Sequence, residues 1–171
     1  MLFTNVEIEE VLVSLETEPQ NSVETRIQDI LVSTALATLK SRMWCFRNYT
    51  KHHKISISII WEFPEWWGNR NSLAKSIVTK EGDAYLVFAL SPWMEERNVN
   101  WSEVKKTALH EAFHVVQMEW IYRHGGPSRL NWILSQCYNI GYWENPMEIG
   151  AYGFERNPES YLQNFAEAFD L

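Results

Sequence analysis

Basic residues are scarce in this chain. Its 171 residues include 15 Lys and Arg against 22 Asp and Glu, so the formal net charge at pH 7 is −7. Binding to nucleic-acid phosphates requires clustered Lys and Arg, and local basic spots such as Lys51–Lys54 are too short to form such a cluster. We therefore exclude a nucleic-acid partner.

Long hydrophobic runs and cysteines are scarce as well. No stretch reaches the roughly 20 apolar residues that a membrane span needs. The N-terminal segment Met1–Ser14 is acidic and has neither the basic start nor the apolar core of a signal peptide. The two cysteines, Cys45 and Cys137, cannot build a disulfide framework and are expected to be buried thiols. These absences predict a cytoplasmic protein without a membrane partner.

Hydrophobic periodicity predicts both helices and strands. Apolar residues recur at helical spacing from Ser22 to about Met43. Ile55–Ile59 alternates apolar and polar residues, as a half-buried strand does. The apolar run Asp83–Leu90 suits a strand, and Lys75–Lys80 suits a short one. Val6–Leu15 fits either a short helix or a strand. No repeat or linker divides the chain, so we predict one domain over residues 1–171.

The string HEAFH, from His110 to His114, is the most informative motif. Residues 102–123 contain no Gly or Pro, which places the motif in a long predicted helix with Ser102 as the expected N-cap. Residues i and i+4 project from the same face of a helix, so His110 and His114 can hold one zinc ion. Glu111 lies about 100° around the helix, where a general base for a metal-bound water stands.

The surroundings of the motif argue against a chance match. With 5 His and 19 Glu, H-E-x-x-H arises by chance in about one or two such chains per hundred. The motif histidines belong to a polar patch between two apolar faces of a mostly buried helix: Thr107, His110, His114 and Gln117. Buried polar groups need partners, and a metal ion is one. The alternative is that the two histidines are unligated and lie four residues apart by coincidence.

A catalytic zinc site usually has a third protein ligand. The metzincin pattern does not supply it, because Gln117 and Trp120 stand where that pattern has Gly and His. His124, at the helix end, is one alternative, and Glu148 is the better candidate.

Glu148 lies at the start of a second predicted helix. Asn145 is a good N-cap and Pro146 fits the first helical position. Asn145 and Glu148 also have the spacing of a capping box. A role for Glu148 as a cap alone is therefore the second interpretation.

Two segments together resemble a known family: HEAFHVVQ at 110–117 and NPMEIGAYGFE at 145–155. They resemble the gluzincin branch of the zincin metallopeptidases, and more closely its short bacterial and phage-type members with HExxHxxQ and a later N-P-x-E-x-x-A-Y segment. The resemblance covers roughly Val104–Gln117 and Asn145–Glu155. It implies that His110, His114 and Glu148 bind Zn²⁺. It further implies that Glu111 activates water to cleave a peptide or protein substrate.

The predicted elements and this resemblance favour an α+β, zincin-like fold. A backing helix and a small mixed sheet would lie over the HExxH helix in an upper half, residues 1–127. After a turn at Gly125–Ser128, a helical lower half, residues 128–171, would follow, with the cleft between the halves. By resemblance, the strand at Asp83–Leu90 would form the upper rim of the cleft and pair with extended substrate.

Two departures from the family pattern concern the site. Ala112 stands where a bulkier apolar residue is usual. Tyr152 stands four residues after Glu148, where the thermolysin-like N-E-x-x-S-D signature has an Asp that orients one histidine. Tyr152 is also a catalytic candidate, as a donor to the oxyanion, together with Tyr161 and His124.

The predicted function is that of a zinc metalloendopeptidase. The alternatives are a catalytically silent zinc-binding module and a metal-free structural protein.

Overall fold

The chain combines a small mixed sheet with one long helix and several shorter ones, which confirms the predicted α+β class. The computed structural model describes residues 4–8, 11–16, 18–43, 46–67 and 72–159. The strands are β1 Thr4–Ile8, β2 Val11–Leu15, β3 Ile55–Ile60, β4 Ala74–Val78 and β5 Ala84–Ala89. The helices are α1 Ser22–Arg42, α2 Phe46–His52, α3 Ser91–Met94, α4 Trp101–Tyr138 and α5 Pro146–Arg156, and short 3₁₀ turns cover Glu65–Trp67 and Tyr142–Glu144.

The five strands follow the order β1-β2-β3-β5-β4 across the sheet. The strands β2, β3 and β5 run parallel, whereas β1 and β4 pair antiparallel at the two ends. The segment Val6–Leu15, which fits either structure by its sequence, contributes two antiparallel strands. Helix α1 matches its predicted span to within one residue.

The strand order contradicts the prediction that Asp83–Leu90 forms the rim of the cleft. Strand β5, in this segment, lies between β3 and β4 and is paired on both sides. Its continuous apolar run fits that interior position, because an interior strand covered on both faces has no solvent-facing side. Among the described residues β4 is the terminal strand on this side of the sheet.

Helix α4 begins two residues earlier than predicted. The side chain of Asn100, not that of Ser102, accepts a hydrogen bond from the backbone N–H of Glu103, at 3.3 Å. Both residue types are good N-caps, so capping preference alone does not choose between them. No helix among the described residues is long and apolar enough to cross a membrane.

Helix α4 is interrupted at Gly126, where φ is 72° and ψ is −172°. Glycine is almost the only residue that adopts this backbone conformation, and Pro127 follows it without a backbone donor. This kink confirms the turn predicted at Gly125–Ser128. The part of α4 after the kink contributes Leu134 and Cys137 to the cleft that also contains the HEAFH motif.

Replacing Gly126 is expected to destabilise the fold through backbone strain. Within the described part of the chain, a β-carbon at position 126 meets no atom within 4 Å. Gly126→Ala should therefore lower the free energy of unfolding by about 1–3 kcal/mol through its positive φ alone, as urea unfolding would measure. Gly141→Ala is the matched control, because Gly141 has a φ of −56° and its β-carbon meets Glu144 Oε2 only at 3.9 Å. Equal free energies of unfolding for Gly126→Ala and Gly141→Ala would contradict the backbone strain expected at position 126.

Candidate metal centre

The two motif histidines meet on one face of α4, as their spacing predicts. His110 and His114 are only 7% and 8% exposed. Their ring centroids lie 4.7 Å apart, and the two Nε2 atoms are separated by 3.1 Å. One ligand atom each of His110, Glu111 and His114 lies within 4.8 Å of the others. Ala112, behind this face, is fully buried.

Glu148 reaches the same point from α5. Its Oε2 lies 3.0 Å from His110 Nε2, and its Oε1 lies 3.4 Å from His114 Nε2. Asn145 caps α5 as predicted, but its side chain accepts from the backbone N–H of Met147, and its own N–H donates to the carbonyl of Tyr142. The interpretation of Glu148 as a cap alone is therefore wrong, because its carboxylate faces the histidines.

Gln117 determines which nitrogen of His114 faces this cluster. The Gln117 Nε2 donates to the carbonyl of Met147 at 3.1 Å, so the atom at 2.8 Å from His114 Nδ1 is the amide oxygen Oε1. An amide oxygen only accepts, and His114 Nδ1 must therefore carry the proton. The lone pair of a neutral His114 ring is then on Nε2, which faces His110 and Glu148.

Glu155 has the corresponding place beside His110. Its Oε2 lies 3.4 Å from His110 Nδ1, the ring nitrogen other than the one beside Glu148. Burial raises the pKa of Glu155, while the neighbouring His110 lowers it. Metal-binding histidines almost always donate their second ring N–H to such a partner. Glu155 shares one helical face with Glu148 and Tyr152, because the three residues follow at spacings of four and three along α5.

Tyr152 does not take the part of the orienting Asp that stands at its position in the thermolysin-like signature. Its ring packs against His110 at 4.6 Å between centroids, and its hydroxyl is hydrogen-bonded to that of Tyr142 at 3.0 Å. The carboxylate beside His110 comes instead from Glu155, seven residues after Glu148.

The cluster fits a zinc ion in its donor chemistry and in its spacing. With its Nδ1 proton on Gln117, a neutral His114 turns the lone pair of Nε2 toward His110 and Glu148. A cation at this point, either a proton shared with Glu148 or a metal ion, satisfies the acceptors that converge there. The acceptor atoms lie 3.0, 3.1 and 3.4 Å apart. Tetrahedral zinc with ligand bonds near 2.05 Å would separate them by about 3.3 Å.

The electrostatics of the cluster also favour positive charge at its centre. Burial alone would raise the pKa of Glu148, but hydrogen bonds to His110 and His114 hold that pKa well below its usual range. Burial disfavours the charged form of His114, yet a hydrogen bond to Glu148 and the charges of Glu111 and Glu148 raise its pKa. A divalent cation would replace the proton that this environment attracts.

Glu111 stands beside the cluster on the side of the sheet. Its carboxylate is half-buried, and Ser76 Oγ of β4 donates to Glu111 Oε2 at 3.2 Å. No hydrogen bond joins Ser76 to the other carboxylate oxygen of Glu111, Oε1. The sequence contains no motif that singles out Ser76.

A cleft of about 1050 Å³ contains all five predicted site residues, His110, Glu111, His114, Glu148 and Tyr152. The loop and edge-strand residues 72–77 line one wall. Beyond His114 the lining is apolar and rich in sulfur: Met118, Leu134, Cys137, Ile140 and Met147. Before His110 it is polar, with Glu103, Lys106 and Thr107.

Tyr142 is a site residue that the sequence analysis missed. It lines the cleft, and burial raises its pKa, with further contributions from its hydrogen bond to Tyr152 and from Glu148. Tyr142 lies in the 3₁₀ turn just before α5. Its sequence carries no motif, and its place in the cleft follows only from the position of Glu148 in the structure.

The other candidates do not join the site. His124 is exposed, and its ring stacks on that of Trp120 with 4.7 Å between centroids. Its Nδ1 donates a hydrogen bond to the backbone carbonyl of Trp120 at 2.8 Å. It does not belong to the cleft lining that the described residues form, so its assignments as third ligand and as oxyanion donor are wrong. Cys137 is a buried free thiol, as predicted. Tyr161 and Cys45 lie outside the described residues.

Comparisons with protein-family models, with curated proteins and with solved structures found no match to this chain. The functional assignment therefore depends on the geometry of the site itself.

Proposed function

We propose that this chain is a zinc-dependent endopeptidase of the zincin type. The observation that carries the proposal is the convergence of His110 Nε2, His114 Nε2 and the Glu148 carboxylate, with Glu111 beside them in an open cleft. These three groups would hold the zinc ion. Zinc bound there would supply Lewis acidity and would lower the pKa of a bound water to about 7.

The residues around the cluster have distinct parts in hydrolysis. Ser76 fixes Glu111 Oε2, so that Oε1 accepts the proton of the attacking water and then returns it to the leaving amine. Tyr152, against the His110 ring, is the donor proposed for the oxygen of the scissile carbonyl. Its hydrogen bond with Tyr142 holds the phenol at the cleft wall until substrate binds.

Strand β4 is suited to bind an extended peptide. Backbone bonds from Ala89 N to Leu73 O and from Thr79 N to Asp83 O show which residues of β4 face β5. Backbone groups alternate in direction along an antiparallel strand. The residues whose N–H and C=O groups point away from β5 are therefore Ala74, Ser76 and Val78. A substrate backbone that pairs with them would lie along the wall that also contains the Glu111 partner Ser76.

An N-methyl scan along a cleaved peptide tests this pairing. Each N-methyl group that removes a bond to β4 is expected to lower kcat/KM by about 2- to 10-fold, the value of one hydrogen bond. The affected positions should alternate, because only every second amide of an extended substrate faces β4. The intervening positions are the internal control, and an effect without alternation would contradict strand pairing.

Elemental analysis combined with a peptide-library assay tests the proposed function as a whole. About one zinc per chain and chelator-sensitive cleavage are expected. One zinc without cleavage would support the silent binding module instead. If protein refolded with excess zinc contains none, the result would support the alternative of a metal-free structural protein.

A further inference from the structure

Gly150 lies on the buried side of α5, two residues after Glu148. A β-carbon at this position would lie 2.6 Å from Gln117 Nε2 and 3.7 Å from Phe113 Cε1. The first distance is far below van der Waals contact, whereas the second is an ordinary contact. The atom that must move is therefore the end of the Gln117 side chain, and α4 and α5 can keep their separation.

The Gln117 amide cannot move without consequence for the metal site. It is 1% exposed, and its two ends bond to different helices. Its Nε2 donates to the Met147 carbonyl of α5, and its Oε1 accepts from His114 Nδ1 of α4. A displaced amide would lose both bonds in a place where water does not readily replace them.

We propose that Gly150 is a positioning residue for the metal site and acts through Gln117. Because position 150 has no side chain, the amide fits between the two helices. There it holds the His114 ring with Nε2 toward the cluster, and it holds the turn of α5 that begins with Met147 and carries Glu148. This inference rests on the proposed zinc site, but it concerns contacts that exist without the metal.

A double-mutant cycle tests the inference through zinc affinity, measured by competition with a chromophoric chelator. Gly150→Ala and Gln117→Ala are each expected to weaken zinc binding by about 10- to 100-fold, the usual effect of losing a partner of a ligating histidine. The double variant should bind zinc no more weakly than Gln117→Ala, because no amide remains for the added methyl group to displace. If Gly150→Ala weakens binding equally in both backgrounds, it acts by another route and the proposal fails.

Two controls separate positioning from folding. Zinc-free Gly150→Ala should unfold no lower than zinc-free Gln117→Ala, because both variants lose the same two Gln117 bonds and alanine favours a helix more than glycine does. Gly141→Ala introduces the same methyl group in open space and should keep wild-type zinc affinity. An unfolding temperature of Gly150→Ala well below that of Gln117→Ala would show a general loss of structure and would contradict the proposal.

Imidazole NMR of the zinc-free chain provides a readout that does not depend on metal binding. The wild type should show a hydrogen-bonded Nδ1 proton for His114, and Gly150→Ala and Gln117→Ala should both lose this signal. Unchanged imidazole signals in Gly150→Ala would overturn the inference even if the wild type binds zinc. A wild type that binds no zinc would refute the proposed function, and the same NMR comparison would still decide the role of Gly150.

Discussion

Glu111→Gln is expected to lower kcat/KM for peptide cleavage by about 100- to 10,000-fold, the usual contribution of a general base. The glutamine side chain has the same shape, and its amide oxygen can still accept from Ser76 Oγ. It cannot accept a proton at neutral pH, so proton transfer from the attacking water is lost. Zinc content should stay at the wild-type value, because Glu111 is not one of the three proposed ligands.

The control for this variant is Glu81→Gln, which removes the same charge from an exposed turn between β4 and β5. Its kcat/KM should stay close to the wild-type value. Wild-type cleavage by zinc-loaded Glu111→Gln would show that Glu111 is not the base. If Glu111→Gln loses zinc and activity together, Glu111 is a zinc ligand and not the general base.

Glu148→Gln is expected to weaken zinc binding by more than about 100-fold. Loss of a partner outside the ligand set typically weakens binding 10- to 100-fold, and a direct ligand should contribute more. The substitution keeps the shape of the side chain but replaces a carboxylate by a neutral amide, while His110 and His114 still converge on it at 3.0 and 3.4 Å. Competition with a chelator of known affinity measures the change.

Glu144→Gln is the matched control for Glu148→Gln, because Glu144 is exposed, lies four residues earlier and is absent from the cleft lining of the described residues. It should bind zinc as the wild type does. Unchanged affinity in Glu148→Gln would remove Glu148 from the ligand set and leave two histidines without a known third ligand.

The parts of the site that lie within one helix could be predicted because a helix has a fixed period. His110 and His114 are four residues apart, and this spacing alone makes their rings neighbours. In the same way, Glu148, Tyr152 and Glu155 share a face of α5, and Asn145 and Pro146 mark its start. Helix-capping preference gave the wrong residue only where two candidates were equally good: Asn100, not Ser102, caps α4.

The contacts between elements could not be predicted in this way. The Glu155 carboxylate lies beside His110 Nδ1, and Gln117 bridges α4 to α5, because of how the two helices pack. The wrong prediction for the cleft rim has the same origin. An apolar run identifies a strand, but its neighbours are chosen by pairing across the sheet, which placed β5 in the interior and β4 at the edge.

The amino-acid sequence by itself determined the α+β class, the two helices and the ligands that each can offer, because helix period and capping act over a few residues. Only the tertiary structure decided that Glu148 reaches the histidines, which ring nitrogens face the centre, and why position 150 has no side chain. These features depend on distances between segments thirty or more residues apart. Such distances are set by the packing of buried surfaces on either side of the kink at Gly126. The local sequence predicts the position of this kink but not which surfaces pack against each other.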